Sequence, residues 1–542
     1  MFQFITEETA SRGLDCQLGI WTHAYEWVDS PKSDHHVEGL TAETHAPYCR
    51  DALALLLKSC PAIQGLTLRV HGESGIPEGS YSFWQTLFEA ITRSGRKIEI
   101  DMHAKGLDST MIDIALNTGM PIKVSAKYWA EQMGLGYHQA AIREVEMPRA
   151  DAKTDGLFKL SNGSRRFLRY GYGDLFQRDR RFDVLFRIWP GTQRTLLWGD
   201  PALASGYGRS SHFCGASGIE IFEPLFFKGR QGSGLAGGRC AYDDESLKPS
   251  DDDWSKYRYT YRVWGRNLYN PNANAEEWRR YLRAKFGDGA LSMEQALSQA
   301  SRILPLVTTA HLPSASNNSY WPEMYTNMPI VEGSEVEPYS DTPAPKRFGT
   351  VSPLDPELFS TIEQHAGALL DSNVTAKYSP IEVAQWLENL SETASQSLAA
   401  AGHGHAGSRA TPESRRFEED IRIQIGLGQF FAAKLRSGVL YDIYKRTGDK
   451  AALQAAVTSY GKARSAWSAM AERAATVYRP DVTFGRQPIE RGHWLDRLPA
   501  IDKDLAAMKA LLANVEKTAS DGGAQVKQAI LAATGRPKRP SV

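Results

Sequence analysis

The 542-residue sequence lacks the features that mark disulfide-rich, nucleic-acid-binding and membrane-spanning proteins. Its five cysteines show no CxxC pair and no regular spacing, which argues against a disulfide framework and a zinc knuckle. Basic and acidic residues number 63 each, so no net charge attracts nucleic acid or an anionic membrane surface. No run of about 18 apolar residues occurs, so we expect no membrane-spanning helix.

Two further signals are missing. No GxGxxG motif follows the first predicted strand and no Walker motif occurs, which argues against a nucleotide-binding open sheet. The first residues, MFQFITEETASRG, lack the basic and apolar regions of a secretory signal peptide. The sequence therefore favours a cytoplasmic protein, or a periplasmic or secreted one if a signal peptide precedes these residues.

The amino-terminal part of the chain alternates short apolar runs with helical patterns. Residues 16–25, 65–74 and 97–106 read as strands, with helices predicted between them. This rhythm predicts a parallel sheet with right-handed crossovers. Because each predicted strand ends in charged or aromatic residues, as strands do at the functional rim of a barrel, we predict an α/β fold with a (β/α)8 TIM-like barrel.

The predicted domain order places this barrel first and a mainly α-helical domain after it. The barrel is expected over residues 1–311 and the helical domain over residues 357–518. Residues 312–356 are rich in Pro, Asn and Ser and form either a site-covering loop or a linker, and 519–542 are a tail. The long carboxyl-terminal helices could serve a homodimer.

Carboxylates and aromatic rings together predict chemistry on sugars. Cleavage of a glycosidic bond needs one carboxylic acid and a second carboxylate, and the 13 tryptophans and 22 tyrosines can stack on pyranose rings. Four acids near predicted strand ends are the catalytic candidates: Glu73, Glu131, Glu220 and Glu223. The alternative for any one of them is a salt bridge to a nearby arginine.

Basic, aromatic and amide side chains near these acids are the predicted substrate-binding groups. They are Arg69, His71, His103, Lys105, Lys127, Trp129, Arg187, Trp189, Trp198, Asp200, Arg230, Asn318 and Trp321. Because a buried cation needs an anionic partner, the strand-borne cations either pair with the glutamates or receive a carboxylate of the ligand. The second reading favours an acidic sugar, such as a uronic acid, as the substrate.

The histidines do not form a recognisable metal motif. His35–His36 and the pair His403 and His405 lack a third ligand at a suitable spacing, so solvated loops are expected there. His23, His71 and His103 each end a predicted strand and are expected to bind sugar hydroxyls or orient a carboxylate. A three-histidine metal site keeps a metal-dependent hydrolase open as an alternative, although we predict no metal and no cofactor.

Six segments together resemble the α-glucuronidase-type glycoside hydrolases, which have an α/β barrel followed by a helical domain. The segments are LRVHGESG, KYWAEQMGLGYHQ, FRIWPGTQRTLLWGDP, GIEIFEPLFFKGR, YSPIEVAQWLENL and RGHWLDRLPAIDKDL. The resemblance implies hydrolysis of a terminal uronosyl linkage by two carboxylates without a cofactor. By their position, Glu131 is the expected acid and Glu220 or Glu223 its partner.

The resemblance also gives an interpretation of the segment from Asp183 to Pro201. Arg187 and Arg194 would hold the sugar carboxylate or brace the catalytic acids. Trp189 and Trp198 would stack on the sugar, and Asp200 would fix a hydroxyl group. The expected partner is therefore an anionic carbohydrate, not nucleic acid or a membrane. Two alternatives stay open: a non-catalytic carbohydrate-binding barrel, and a polysaccharide lyase that uses Tyr, His or Arg in place of a carboxylate pair.

Overall fold

A computed structural model describes most of the chain. The described residues are 1–21, 23, 37, 39–138, 172, 175–190, 192–222, 240–249, 253–316, 320–324, 328–331, 347–373, 375–403, 411–482, 490–515 and 523–537. The chain divides into two compact units. The first comprises Met1–Tyr128, Glu146–Arg187 and Ser211–Glu220, and the second comprises Trp129–Val145, Ile188–Ser210 and Ile221–Val542.

One six-stranded sheet organises the first unit. Its strands, in both chain order and spatial order, are β1 (Cys16–Ile20), β2 (Ile63–Leu68), β3 (Glu99–His103), β4 (Ile122–Tyr128), β5 (Asp183–Ile188) and β6 (Gly218–Ile221). Strands β1 to β4 pair in parallel, with Gly19, Thr67, Asp101 and Lys123 in register. Because the spatial order follows the chain order, each strand lies next to the one that precedes it in the sequence.

The helices of the first unit are α1 (Phe2–Ser11), α2 (Ala42–Ser59), α3 (Tyr81–Arg93) and α4 (Ser109–Leu116). Their starts are fixed by local chemistry, since Thr41 forms a capping box at α2 and the Asp108 carboxylate accepts the Met111 N–H at α4. Helix α3 buries Trp84, Leu87 and Ile91 on one face. The spacing of these residues follows the helical period.

The two faces of the sheet differ sharply in polarity. Leu66, Leu68, Ile100, Met102 and Val124 are fully buried and lie on one face, because side chains alternate along a strand. The residues that alternate with them along the strands are polar or charged and lie on the other face, for example Thr67, Asp101 and Ser125. We call this second surface the polar face of the sheet.

The predicted closed eight-stranded barrel is wrong. The structure has a parallel half-barrel sheet of six strands in its described part, with β1 and β6 as its edges. A closed barrel fills its interior with layers of branched apolar side chains, whereas the polar face carries ionised groups. The sequence of residues 257–269 predicts a strand or a helix that closes the barrel. Residues 258–269 form a helix that buries Tyr259, Val263 and Trp264.

The second unit is mainly helical. Its helices are α5 (Pro201–Ser210), α6 (Arg258–Tyr269), α7 (Glu276–Phe286), α8 (Ala290–Ser301), α9 (Ile303–Ala310), α10 (Ile362–Leu370), α11 (Pro380–His403), α12 (Pro412–Thr447), α13 (Lys450–Ala475), α14 (Leu498–Asn514) and α15 (Ala524–Thr534). The 36-residue α12 is the central element and packs against α11 and α13. Gly426 permits the close approach to α13, because a Cβ there would collide with Met470.

In the part of the chain that the structure describes, no helix has both the length and the apolar character needed to cross a bilayer.

Candidate functional site

The polar face of the sheet brings together most of the first unit's predicted site residues near the carboxyl ends of the strands. Its members there are Arg69, His71, Asp101, His103, Lys105, Ser125, Lys127, Arg187 and Glu220. They occur at every second position of β2, β3 and β4 and of the residues that follow these strands. This period of two places their side chains on one side of the sheet.

A chain of hydrogen bonds crosses the polar face from β1 to β6. Gln17 Nε2 donates to Thr67 Oγ1 at 2.7 Å, and Thr67 Oγ1 donates to Asp101 Oδ2 at 2.9 Å. The Arg187 Nη2 atom then donates to Asp101 Oδ2 at 3.0 Å and to Glu220 Oε2 at 3.2 Å. One arginine nitrogen therefore binds two carboxylates, and both ion pairs are charge-assisted hydrogen bonds.

The two carboxylates bound by Arg187 differ in accessibility. The Asp101 side chain is 0% exposed and that of Arg187 2%, whereas the Glu220 side chain is 38% exposed. Burial raises the pKa of Asp101, the Arg187 guanidinium opposes this shift, and the negative charge of Glu220 adds to it. Glu220 can therefore touch a ligand, while Asp101 acts on the site only through Arg187.

A third carboxylate, that of Glu73, lies beside this face and has two cationic partners. Glu73 pairs with both Arg69 and Lys105, and its side chain is 34% exposed. Arg69 Nε also donates to His71 Nε2 at 2.8 Å. The turn after β3 passes close to this group at Gly106, whose φ is +73° and where a Cβ would lie 2.6 Å from His71 Cβ. A glycine is thus required by both conformation and space.

Trp21 is a functional candidate that the sequence reasoning missed. It directly follows β1, its side chain is 42% exposed, and the guanidinium carbon of Arg69 lies 4.2 Å from its ring centroid. An accessible indole beside a cation is a surface on which a sugar ring can stack. The sequence analysis missed it because the first strand was expected over residues 16–25, which placed Trp21 inside the strand, whereas β1 ends at Ile20.

His103 is a buried histidine of the polar face, 5% exposed. Burial lowers its pKa well below the usual range, and the charges of Lys127, His71, Arg187 and Arg69 act in the same direction. Within the described part of the chain, neither ring nitrogen of His103 has a hydrogen-bond partner. The neutral ring offers one donor and one acceptor, which is what a sugar hydroxyl requires.

His23 follows β1 and is also neutral. Burial, followed by the neighbouring His45, lowers the pKa of His23 to about 4. Its ring packs edge-on against Trp84, with the centroids 5.2 Å apart. No group of three or more His, Cys, Asp or Glu residues is arranged to hold a metal ion in the described ranges. The three-histidine metal site therefore has no geometry there from which it can be argued.

The predicted acid Glu131 lies in the second unit, in a segment with an unusual backbone. Trp129 and Ala130 have φ values of +56° and +62°, so two consecutive residues other than glycine adopt the left-handed conformation. Such conformations cost roughly 1–3 kcal/mol each and cluster at functional positions. Glu131 is 7% exposed, and its backbone N–H donates to the Ala315 carbonyl at 3.1 Å.

The aromatic residues predicted to stack on substrate make packing contacts in the second unit. The Trp189 ring lies 4.0 Å from that of Phe222, and Trp198, which is 2% exposed, meets Trp264 edge-on at 5.0 Å. Trp321 is fully buried, and its Nε1 donates to Glu323 at 2.9 Å. These contacts give the three indoles a structural role.

The polar groups of the same segment are also engaged structurally. Asp200 accepts the N–H groups of Ala202 and Leu203 at the start of α5 and pairs with Arg302 Nε at 2.6 Å. The backbone N–H of Arg194 donates to Glu323 at 2.8 Å, and its guanidinium lies over the Trp321 ring. The segment thus consists of one strand residue on the polar face, Arg187, followed by residues that build the second unit.

Three predicted site residues, Glu223, Arg230 and Asn318, lie outside the described residues. So do His35, His36 and His405, while the side chain of His403 is not described.

Comparison with known proteins gives a likeness of fold. No family model matches the chain, and no curated protein matches it. Ten chains of solved structures do match. One is described as a GH138 enzyme targeting pectin rhamnogalacturonan II, with a TM-score of 0.70 and 14% identity over 94% of this chain and 71% of that one. Another, CpGH84D, has a TM-score of 0.24 and 10% identity over 84% and 66%.

The two likenesses differ in weight. A TM-score of 0.70 over most of both chains shows that this protein shares the fold of the first structure. The second, at a TM-score of 0.24, carries no argument. Because a fold hosts many activities, the likeness does not by itself assign a reaction.

Proposed function

We propose that the protein is a glycoside hydrolase that acts on an acidic polysaccharide. The observation that carries the proposal is Glu220, an accessible carboxylate held by the buried pair of Arg187 and Asp101 on the polar face. Carboxylates with fixed orientation are what hydrolysis of a glycosidic bond requires. The fold likeness to an enzyme described as targeting pectin rhamnogalacturonan II supports both the reaction and the acidic substrate.

The proposed roles follow from burial and hydrogen bonding. Glu220 acts as nucleophile or base, Arg187 fixes the direction of its carboxylate, and Asp101 positions Arg187. Glu131 is kept as the proposed acid from its position in the sequence alone. Glu73, partly exposed and bound by two cations, is proposed to contact the substrate.

The charge argument for an anionic substrate is a small excess of cations among the described residues near the carboxyl ends of the strands. Four basic side chains face three carboxylates there, since Arg69 and Lys105 pair with Glu73 and Arg187 pairs with Asp101 and Glu220. Arg69, Lys105, Lys127 and Arg187 all lie on the polar face near the carboxyl ends of β2 to β5. Guanidinium and ammonium groups bind carboxylates through charge-assisted hydrogen bonds. The exposed ring of Trp21 is the proposed stacking surface for the sugar.

The proposal is tested by assaying the protein on uronic-acid-containing pectic oligosaccharides, aryl uronides and matched neutral glycosides. Replacement of Glu220 or Glu131 by Gln should lower kcat by at least about 100-fold, because the carboxylate is lost with little change in shape. The melting temperature should remain within a few degrees of wild type. Glu99→Gln is the matched control, since Glu99 lies on β3 at the amino end of the same face and pairs with Lys123 at 2.9 Å.

Three results would contradict the proposal. Wild-type rates in both the Glu220 and Glu131 variants would show that neither carboxylate has the proposed catalytic role. A product that absorbs in the ultraviolet through a new double bond would indicate a lyase. Saturable binding of the oligosaccharides without any product would indicate a carbohydrate-binding protein.

A further inference from the structure

The second unit contains an open groove of about 330 Å³ beside α8, α9 and α11. Its lining is mostly apolar and comprises Trp386, Asn389, Leu390 and Thr393 from α11, Gln299 and Arg302 from the end of α8 and the residue after it, Leu306 from α9, and Leu135. The α11 residues have the spacing i, i+3, i+4 and i+7, so they share one face of the helix. The segment YSPIEVAQWLENL, which carries three of them, thus builds a surface that the proposed reaction does not use.

We infer that this groove binds an uncharged sugar ring. The Trp386 indole can stack on the C–H face of a pyranose, and its edge is braced by Tyr378, whose ring centroid lies 4.9 Å away. The polar side chains in the lining are Gln299, Asn389 and Thr393. Because Asn389 Oδ1 accepts from Gln385 Nε2 at 3.0 Å, the Asn389 amide offers its N–H groups as donors to a sugar hydroxyl. An aromatic wall with a few polar groups is the usual composition of a small-molecule site.

The charge of the groove favours a neutral ligand. Among the described residues that line it, Arg302 is the one that is ionised, and its Nε and Nη2 atoms donate to Asp200 at 2.6 and 3.0 Å. This bidentate pair neutralises the guanidinium, so the groove offers no net charge to a uronic acid. The inferred ligand is therefore a neutral pyranose unit, in contrast to the anionic unit proposed for the polar face.

Size separates a sugar from a macromolecular partner. The volume lies at the lower end of the roughly 300–1,000 Å³ typical of small-molecule pockets, which suits one or two rings and not a helix. The described lining of the groove includes no carboxylate, so binding without reaction is expected. The inference goes beyond the proposed function, although the choice of a saccharide as ligand rests partly on it.

The test is a titration of the full chain, labelled with 5-fluorotryptophan and observed by ¹⁹F NMR. Methyl β-D-galactopyranoside and a neutral galactotetraose are the probes, and cyclohexanol is the apolar control. The Trp386 resonance, assigned by its loss in Trp386→Phe, should shift saturably with the sugars. Asn389→Ala should weaken binding roughly three- to tenfold through loss of a hydrogen bond, and Asn389 is exposed, so folding is retained.

Trp254→Phe is the matched control for the indole. Trp254 is 42% exposed and lies beside Arg258, but it is not part of the groove. This variant should leave the titration of Trp386 unchanged. The inference is overturned if neither sugar shifts the Trp386 resonance, if cyclohexanol alone shifts it, or if Asn389→Ala binds as wild type does.

The outcomes also separate this inference from the proposed function. A saturable shift without hydrolysis of any glycoside would support the groove and remove the proposed reaction. Hydrolysis of acidic substrates without a shift at Trp386 would support the reaction and remove the groove.

Discussion

Each of the two units contains a buried ionic network, and the two networks end differently. In the first unit, the buried pair of Asp101 and Arg187 leads to Glu220, whose carboxylate is 38% exposed. In the second unit, Lys256 and Asp420 form an ion pair of 3.0 Å with side chains that are 3% and 0% exposed. A site therefore differs from internal architecture in whether one member of the network remains accessible, and not in how many charges it contains.

The network of the second unit is closed by backbone and tyrosine groups. Asp420 accepts the N–H of Leu197 at 2.7 Å and the hydroxyl of Tyr478, and Lys256 donates to that hydroxyl at 2.9 Å. Burial lowers the pKa of Lys256, but the negative charge of Asp420 and the adjacent Tyr242 raise it by more than burial lowers it. The net shift of the pKa is therefore upward. The pair is consequently charged and satisfied, as buried ion pairs must be.

The largest expected effect is therefore on stability, in the second unit. Asp420→Ala leaves the Lys256 ammonium buried without its counter-ion, which costs about 3–5 kcal/mol of unfolding free energy. Urea unfolding followed by circular dichroism measures this cost. The double variant Lys256→Met with Asp420→Leu removes both charges and should recover most of it. Full stability of Asp420→Ala would show that the second network does not support the fold.

The next effect is on activity, in the first unit, and it rests on the proposed function. Asp101→Asn weakens the hold on Arg187, so kcat should fall about 10- to 100-fold because Glu220 loses its fixed orientation. The KM should change little, since Asp101 is buried and does not touch the substrate. Initial rates over a range of substrate concentrations measure both constants. A lower melting temperature with unchanged kcat would make Asp101 purely structural and would break the comparison.

A third prediction concerns the neutral histidines of the first unit. His23 has a pKa of about 4 in the folded chain and about 6.5 when unfolded, so the unfolded chain binds more protons between these values. Stability should be fully present above pH 6.5 and fall on acidification, by about 2 kcal/mol at pH 5 for His23.

Burial also lowers the pKa of His103, so this histidine adds to the loss of stability at acidic pH. The measurement is urea unfolding at pH 5, 6 and 7, repeated with His103→Asn, which should reduce the pH dependence. A stability that is flat or rising between pH 7 and pH 5 would contradict the prediction.

The smallest effect sharpens the description of the polar face. Gly106→Ala places a methyl group against His71 in a residue with φ of +73° and should cost about 2 kcal/mol. Gly79→Ala is the control, because Gly79 has φ of +83° but no atom within 4 Å of an added Cβ. It should cost only the conformational part, about 1 kcal/mol. Equal losses of melting temperature in both variants would mean that the close approach to His71 is unimportant.

Local patterns were sufficient to predict the polar face but not the closure of the sheet. The alternation of Thr67, Arg69 and His71 and of Asp101, His103 and Lys105 is a property of single strands, so the sequence displays it. Open and closed sheets share the same alternation of strands and helices. Their difference depends on the number of strands. The aromatic run at 257–269 left a strand and a helix open, and residues 258–269 form a helix.

Some predicted site residues are buried in packing contacts or ion pairs, and residue type alone does not distinguish them from accessible ones. Trp321 and Asp200 look like sugar-binding groups in the sequence. Arg194 binds Glu323 and Asp200 binds Arg302, and each partner lies more than 100 residues away in the chain. Only the folded chain shows that these polar groups are already bound. Trp21 was missed for another reason, since the predicted strand of residues 16–25 extends past it and the strand in the structure ends at Ile20.

The shared nitrogen of Arg187 has a consequence for repeated turnover at the proposed site. When Glu220 loses its charge to a proton or to a bond with a sugar carbon, the same Nη2 atom is still held by Asp101 at 3.0 Å. The hydrogen bond to Asp101 would then hold the guanidinium in the same position throughout the cycle. The site would return to its starting geometry without any side-chain rotation, so no reorganisation energy is lost at this position.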